Sequence, residues 1–154
     1  MPPELPFTNR VARLLELADE EAASRGHPDK TPEHVLLALL RDAEGIGASV
    51  IGRLQGGDLD GLYRQLEGLL AGTDPGRKAA PPRVSWLLES ASAEAVKLRH
   101  RVLGSEHLVL ALIREPESTA ARALADRGIR YADAVAELRR ILGMPAGGPA
   151  TNAP

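Results

Sequence analysis

Four histidines and two glutamates form two matching groups along the chain. A Glu-His pair occurs twice, and each time another histidine stands seven residues before the histidine of the pair. The groups are His27 with Glu33-His34, and His100 with Glu106-His107. Imidazoles and carboxylates bind zinc, but a zinc site needs four ligands at shorter spacings, and the chain has no cysteine or nearby carboxylate cluster to complete one. We therefore predict no metal, and expect packed, hydrogen-bonded histidines at helix starts or junctions.

The remaining residues do not support catalysis. The serines lie in no Gly-x-Ser-x-Gly turn, and no His-Glu-x-x-His pair is present. Neither Glu-His pair has a third residue that would complete a set of nucleophile, base and orienting group. The chain also lacks a Gly-x-x-x-x-Gly-Lys-Ser/Thr phosphate loop. The pattern favours a binding protein without a cofactor, and a helical enzyme without a known motif is the alternative.

One stretch of the chain is an imperfect copy of another. The residues from Glu33 to Arg41 return as Glu106 to Arg114, an offset of 73 residues. The same offset, without gaps, also matches Arg10 with Arg83, Leu14 with Leu87, Ala48 with Ala121, and Glu44 with Glu117. Because the register holds over this length, the chain consists of two copies of one structural unit.

Apolar residues within each copy recur at helical spacing. The first helices carry the stripes Val11, Leu14, Leu15 and Ala18, and Val84, Leu87, Leu88 and Ala91. Second helices, apolar nearly all round, start at Thr31-Pro32-Glu33 and at Ser105-Glu106, where a hydroxyl can cap each of them. Third helices are expected at 44–54 and 118–127, the latter ended by Gly128, and fourth helices follow around Leu59 and Tyr131. We predict an all-α protein of eight helices, arranged as two four-helix repeats.

Segments rich in glycine and proline divide the chain. Residues 72–81 predict a linker between repeat one, residues 7–71, and repeat two, residues 82–142. Residues 143–154 form a Gly/Pro/Ala tail that predicts disorder. A unit of about 65 residues is marginal alone. The repeats are therefore expected to pack together as one pseudo-twofold domain over residues 1–142.

Charge and composition argue against several classes of partner. With 19 Lys+Arg against 21 Asp+Glu, the formal net charge of −2 gives no electrostatic signature for nucleic acid or an anionic membrane. The absence of cysteine, of a leader-like start and of a long apolar run predicts a cytoplasmic protein, which we expect to be a monomer. Charged residues of the first helices, including Glu21 and Glu94, are expected on solvated faces.

These features resemble a known family. The start Phe7-Thr8-x-Arg10, the Glu-His-Val-Leu-Leu-Ala-Leu-Leu string and the near-repeat of both are similar to the N-terminal domain of the Clp AAA+ unfoldases, the double Clp-N repeat of the ClpC type. The resemblance implies a module that recognises clients or adaptors, or modulates a Clp unfoldase, without the ATPase modules. The alternative is a stand-alone Clp-N protein that sequesters a peptide or an antibiotic directed at Clp.

The resemblance also implies a site for phosphorylated arginine. In ClpC-type domains a threonine at the first helix and the glutamate of the Glu-His motif bind this group. By position these are Thr8 and Glu33 in repeat one, and Glu106 in repeat two, where Pro81 replaces the threonine. Since proline offers neither a hydroxyl nor a backbone donor, we expect binding mainly in repeat one. The alternative is structural, because threonine is a common N-cap and acids are favoured in a first helical turn.

Two aromatic residues are candidate anchors for a protein partner. Phe7 has Ala80 at the corresponding position of repeat two, and Trp86 corresponds to Arg13 of repeat one. Aromatic side chains are enriched at interface hot spots. For Trp86, burial in the core is the favoured interpretation, because large aromatic residues are mostly buried.

Overall fold

Eight α-helices and no strand are present among residues 5–71, 84–115 and 118–144, the part of the chain that the computed structural model describes. They are α1 (Asn9–Ser24), α2 (Pro32–Asp42), α3 (Ile46–Leu54), α4 (Leu59–Ala71), α5 (Val84–Lys97), α6 (Ser105–Arg114), α7 (Thr119–Asp126) and α8 (Tyr131–Ile141). The prediction of eight helices, four from each repeat, is confirmed.

Each repeat begins with an amphipathic helix whose apolar stripe faces inward. Val11 and Leu14 of α1 are fully buried, as are Leu87 and Ala91 of α5. The Thr8 side chain accepts a hydrogen bond from the Val11 N–H at 3.2 Å, so Thr8 is the N-cap of α1 that its residue type predicts.

The second helices, α2 and α6, form the centre of the molecule. Every residue from Pro32 to Leu40 is buried, as is every residue from His107 to Leu112. Helix α2 contacts α1, α4, α6 and α7, while α6 contacts α3, α5, α7 and α8. Neighbours on all sides explain why these two helices are apolar nearly all round.

The third helices are exchanged between the repeats. Helix α3 packs mainly on α6 and α8 of repeat two, and α7 packs on α2 and α4 of repeat one as well as on α6 of its own repeat. Gly47 makes the first of these contacts possible, because a Cβ on it would lie 2.7 Å from the carbonyl oxygen of Ser105. Neither repeat therefore encloses its own core.

Two hydrogen bonds between the repeats accompany this exchange. The Gly47 N–H, at the start of α3, donates to the Ser105 hydroxyl at 3.0 Å, and the Ala120 N–H, at the start of α7, donates to the Glu33 carboxylate at 3.0 Å. Gly47 and Ala120 correspond to each other at the 73-residue offset. Each repeat thus supplies a side-chain acceptor to the first turn of the other repeat's third helix.

The segment before α1 is bound to repeat two. Phe7 and Leu103 form an isolated parallel β-bridge. The Thr8 N–H donates to the Leu103 carbonyl at 3.0 Å, and the Leu103 N–H donates to the Pro6 carbonyl at 2.9 Å. These bonds place the start of α1 beside the start of α6.

The helix starts correct three details of the sequence prediction. The N-cap of α6 is Gly104, and the hydroxyl of Ser105, which was expected to cap α6, accepts the Gly47 N–H of α3 instead. Helix α2 follows Thr31 as predicted, but the His34 ring accepts the Thr31 N–H at 2.8 Å. The third helices are shorter than 44–54 and 118–127, since each begins after the N-cap Gly45 or Ser118.

Other sequence predictions concern the ends of segments. Gly128 has φ +75° directly after the C-cap of α7, which confirms that it ends this helix. The predicted linker, 72–81, and residues 145–154 of the predicted tail lie outside the described residues. No helix within the described ranges is long and apolar enough to cross a membrane.

The hydrogen bonds between the repeats can be tested by substitution. We expect Ser105→Ala and Glu33→Ala each to lower the free energy of unfolding by about 1 to 2 kcal/mol, because each leaves a buried N–H without its acceptor. The matched controls are Ser85→Ala and Glu89→Ala on the exposed face of α5, which should change little. Urea denaturation followed by circular dichroism measures all four, and variants as stable as their controls would contradict this account.

Candidate binding cleft

An open cleft of about 610 Å³ lies where three helices begin. It is bounded by the starts of α1, α3 and α6 and by Leu142, which follows α8. Its polar and charged lining includes Thr8, Arg10, Glu44, His100, Arg101, Ser105 and Glu106. Because these residues come from both repeats, we call it the shared cleft.

The starts of helices give the shared cleft a positive character. The N-caps Thr8, Gly45 and Gly104 all line it, so three helix dipoles present their positive ends there. In the described part of the chain the backbone N–H groups of Ser105 and Glu106 have no hydrogen-bond partner. Helix starts with free N–H groups bind phosphate and other anions.

Two carboxylates at the same cleft provide the opposite charge. Glu44 is exposed and Glu106 is half-buried, and neither has an ion-pair partner among the described residues. The Glu106 carboxylate lies against Gly104, in space that a Cβ on Gly104 would fill. On the cationic side, Arg101 is exposed, whereas Arg10 forms an ion pair with Asp42 at 2.5 Å. The shared cleft therefore suits a group that carries both an anion and a cation.

The structure separates Glu33 from the other two predicted phosphoarginine residues, Thr8 and Glu106. Thr8 lines the shared cleft together with Glu106 of repeat two, and Glu33 is not part of that cleft. Glu33 is only 6% exposed, and its carboxylate accepts the Ala120 N–H. The physical reason is the bridge between Phe7 and Leu103, which joins the start of repeat one to repeat two. Pro81 lies outside the described residues.

One substitution between the repeats explains why the two glutamates differ. Ser105 supplies the oxygen that caps α3, and the corresponding residue of repeat one is Pro32, which has no such oxygen. In repeat one the next residue, Glu33, supplies the acceptor that α7 needs. Because Ser105 supplies the acceptor for α3, Glu106 is not needed for that purpose, and it lines the shared cleft.

The histidines form one hydrogen-bonded pair in each repeat. His34 Nε2 lies 2.8 Å from His27 Nδ1, and His107 Nε2 lies 2.7 Å from His100 Nδ1. In both pairs the inner ring accepts a backbone N–H at the helix start, from Thr31 or from Gly104. Burial, with a smaller effect of the partner ring, lowers the pKa of His34 and of His107 to about 4. The seven-residue spacing thus reflects a structural pair, as expected for packed histidines.

A metal at the second pair would have to break these hydrogen bonds. Ligand atoms of His100, Glu106 and His107 lie within 4.8 Å of one another. However, His107 Nδ1 accepts the Gly104 N–H, so the proton of the neutral ring occupies Nε2, the atom that would have to bind the metal. These hydrogen bonds therefore compete with metal binding at this pair.

Two glutamates expected on solvated faces are in fact buried. The Glu21 carboxylate accepts hydrogen bonds from Tyr63 at 2.8 Å, from Arg25 at 2.6 Å and from Arg41 at 3.0 Å. Burial alone would raise the pKa of Glu21, but these hydrogen bonds hold it below its ordinary value. The corresponding cluster of repeat two contains Glu94, Tyr131 and Arg114. Both clusters connect helices within one repeat and are structural.

Glu115 is a buried acid that has no compensating partner among the described residues. Its side chain is 3% exposed, and within that part of the chain neither carboxylate oxygen accepts a hydrogen bond. Burial, and secondarily the negative charge of Glu33, raises the pKa of Glu115 to about 7. At the corresponding position of repeat one, Asp42 has Arg10 as its partner.

Both candidate aromatic anchors are exposed. Trp86 is 43% exposed, so the expectation that it belongs to the core is wrong. The reason lies in the repeat, because Trp86 takes the position of Arg13, which points outward on α1. Phe7 is 41% exposed and precedes Thr8, and Val102, which lines the shared cleft, is 45% exposed. Apolar surface therefore lies next to the polar cleft.

The sequence matches a known protein family and is similar to proteins of known name. Two stretches, residues 6–82 and 81–152, match the family model described as the Clp repeat (R) N-terminal domain. The chaperone protein ClpB of Oceanobacillus iheyensis and the negative regulator of genetic competence ClpC/MecB of Bacillus subtilis are each 37% identical over 139 residues. The match covers 89% of this chain and 17% of either relative.

Solved structures show the same fold. The N-terminal domain of the ClpV1 ATPase from E. coli EAEC Sci1 T6SS is 25% identical, with a TM-score of 0.66 over 96% of this chain and 91% of that one. The Hsp104 N-terminal domain from Candida albicans is 15% identical, with a TM-score of 0.69 over 92% and 94%. At that identity the second similarity concerns the fold alone.

The uncompensated Glu115 makes stability depend on pH. Because folding raises its pKa from about 4.5 to about 7, the folded state loses stability as the pH rises between these values. We expect Glu115→Gln to raise the free energy of unfolding by about 1 to 3 kcal/mol at pH 8 and to change it little at pH 4.5. Asp42→Asn is the matched control and should give no gain at pH 8. Thermal melts at both pH values test this, and an equal effect of Glu115→Gln at both would contradict it.

Proposed function

The chain belongs to the Clp repeat N-terminal domain family, and from this premise we propose that it is a protein-binding module of the Clp system. It recognises clients or adaptors, or modulates a Clp unfoldase, in the cytoplasm and without ATPase or other catalytic activity. The similarity to ClpB and ClpC/MecB supports the association with Clp proteins. The open cleft between the repeats, with exposed Phe7 and Val102 beside it, supports the binding of a protein segment.

The proposed ligand within that segment is a phosphorylated arginine side chain. The observation that carries this proposal is the presence of Thr8 and Glu106 in one cleft where three helices begin. Free N–H groups of α6 and the Thr8 hydroxyl can bind the phosphate, and Glu106 and Glu44 can bind the guanidinium. The Thr8 oxygen accepts the Val11 N–H, which leaves the hydroxyl hydrogen to donate to a phosphate oxygen.

A second candidate function is sequestration of a peptide or antibiotic directed at Clp. The exposed side chains of Phe7 and Val102 favour it, because an apolar ligand would bury them at the edge of the cleft. Such a ligand would depend on Phe7 more than on Glu106. The two functions are therefore separable by substitution.

Calorimetry with phosphoarginine tests the proposal. We expect Glu106→Gln to weaken binding about tenfold or more, because it removes a charged acceptor for the guanidinium. Glu33→Gln is the matched control, since its amide oxygen can still accept the Ala120 N–H, and it should bind like the wild type. Free arginine and inorganic phosphate should each bind more weakly, because each offers half of the ligand.

The outcomes distinguish the alternatives. Loss of binding in Glu33→Gln with full binding in Glu106→Gln would contradict the assignment to the shared cleft. Wild-type protein that binds no phosphoarginine would overturn the proposed ligand. Binding of a Clp-directed peptide that is lost in Phe7→Ala and retained in Glu106→Gln would then favour sequestration.

A further inference from the structure

Two consecutive hydrogen bonds connect the start of α6 to the shared cleft. The Gly104 N–H donates to His107 Nδ1 at 2.8 Å, and His107 Nε2 lies 2.7 Å from His100 Nδ1. His107 is 1% exposed, whereas His100 is half-buried and lines the cleft. Among the described residues His100 Nε2 has no hydrogen-bond partner.

The backbone N–H fixes the tautomer of both rings, because it can only donate. His107 Nδ1 accepts this hydrogen and carries no proton, so the neutral ring has its proton on Nε2. That proton is donated to His100 Nδ1, which leaves the proton of His100 on its own Nε2. A second proton on His107 would point its Nδ1–H at the Gly104 N–H, and a second proton on His100 would point its Nδ1–H at the Nε2–H of His107. The hydrogen bonds in this geometry are therefore those of two neutral rings.

We infer that His100 is a binding residue of the shared cleft, which donates its Nε2–H to an anionic oxygen of the ligand, and that His107 is a positioning residue that fixes this tautomer. The inference rests on the proposed function in one respect, namely that the cleft receives an anionic group. It adds a donor that the sequence motif does not identify.

A neutral donor has a specific advantage at this position. The charged side chains that line the same cleft are Glu106 of α6, Arg101 of the preceding loop, Arg10 of α1 and Glu44 before α3. A carboxylate oxygen of Glu106 lies within 4.8 Å of one ring nitrogen of His100 and one ring nitrogen of His107. A positively charged His100 would therefore attract Glu106 and compete with the cation of the ligand. A neutral His100 binds the anion and leaves Glu106 available.

Repeat one provides an internal control. His27 and His34 form the same pair, with the Thr31 N–H in place of the Gly104 N–H. Neither His27 nor His34 lines the shared cleft. Substitutions in this pair carry a comparable structural cost without removing a donor from the cleft.

Nuclear magnetic resonance of the ¹⁵N-labelled wild-type protein tests the tautomer and the contact. We expect the His100 ring to carry its proton on Nε2 and none on Nδ1. Titration with inorganic phosphate should shift the Nε2 resonance of His100 and leave that of His27 unchanged. A His100 ring protonated on Nδ1, or a His100 resonance that phosphate does not move, would overturn the inference.

Binding measurements with variants test the functional consequence. His100→Phe should weaken phosphoarginine binding about tenfold, because a hydrogen bond to a charged oxygen is lost, and His27→Phe should not. We expect His107→Leu to populate the His100 tautomer that has its proton on Nδ1, which the ¹⁵N spectrum detects, and to weaken phosphoarginine binding, whereas His34→Leu should do neither.

The inference and the proposed function can fail separately. If phosphoarginine binds and His100→Phe binds as tightly as His27→Phe, the inference is wrong and the proposed function stands. If phosphoarginine does not bind but phosphate shifts the His100 Nε2 resonance, the proposed ligand is wrong and the inference stands. If His107→Leu does not fold, the wild-type spectra and His100→Phe decide the matter.

Discussion

Buried N–H groups at two helix starts constrain how the repeats of this protein fit together. Helices α3 and α7 each begin against the opposite repeat, where water is excluded and an acceptor must come from the protein. Ser105 and Glu33 supply those acceptors. The exchange of the third helices, the central position of α2 and α6, and the convergence of three helix starts at one cleft are all compatible with this arrangement.

The two repeats supply this acceptor from different residues, and this explains why Glu33 and Glu106 differ in their contacts. With Ser105 as the capping residue, the neighbouring Glu106 can face the cleft, whereas Pro32 leaves Glu33 to serve as the acceptor. In the two Glu-His pairs, the histidines therefore have the same structural role, whereas the glutamates have different contacts. The histidines accept the N-cap N–H of their own helices in both repeats, and only Glu106 lines the shared cleft. An identical motif does not imply an identical function at the two positions.

The fold was largely predictable from the sequence, because it depends on local patterns that occur twice. The stripes of α1 and α5, the apolar character of α2 and α6, and Gly128 after α7 all predict what the structure contains. Which residues line the shared cleft was not predictable in this way. Thr8 meets Glu106 through a pairing of Phe7 with Leu103, and no local pattern records a contact over that separation. The exposure of Trp86 did have a signal, since its counterpart Arg13 is a surface residue type.

The central claim is that the start of repeat one docks on repeat two, which makes the cleft a joint structure. The chain has no cysteine, so an engineered pair can report this contact without interference. Leu103 corresponds to Lys30 of repeat one at the 73-residue offset. Under mild oxidation, Phe7→Cys with Leu103→Cys should form a disulfide, detected by peptide mapping, and Phe7→Cys with Lys30→Cys should stay reduced. A disulfide in the second pair and none in the first would contradict the account.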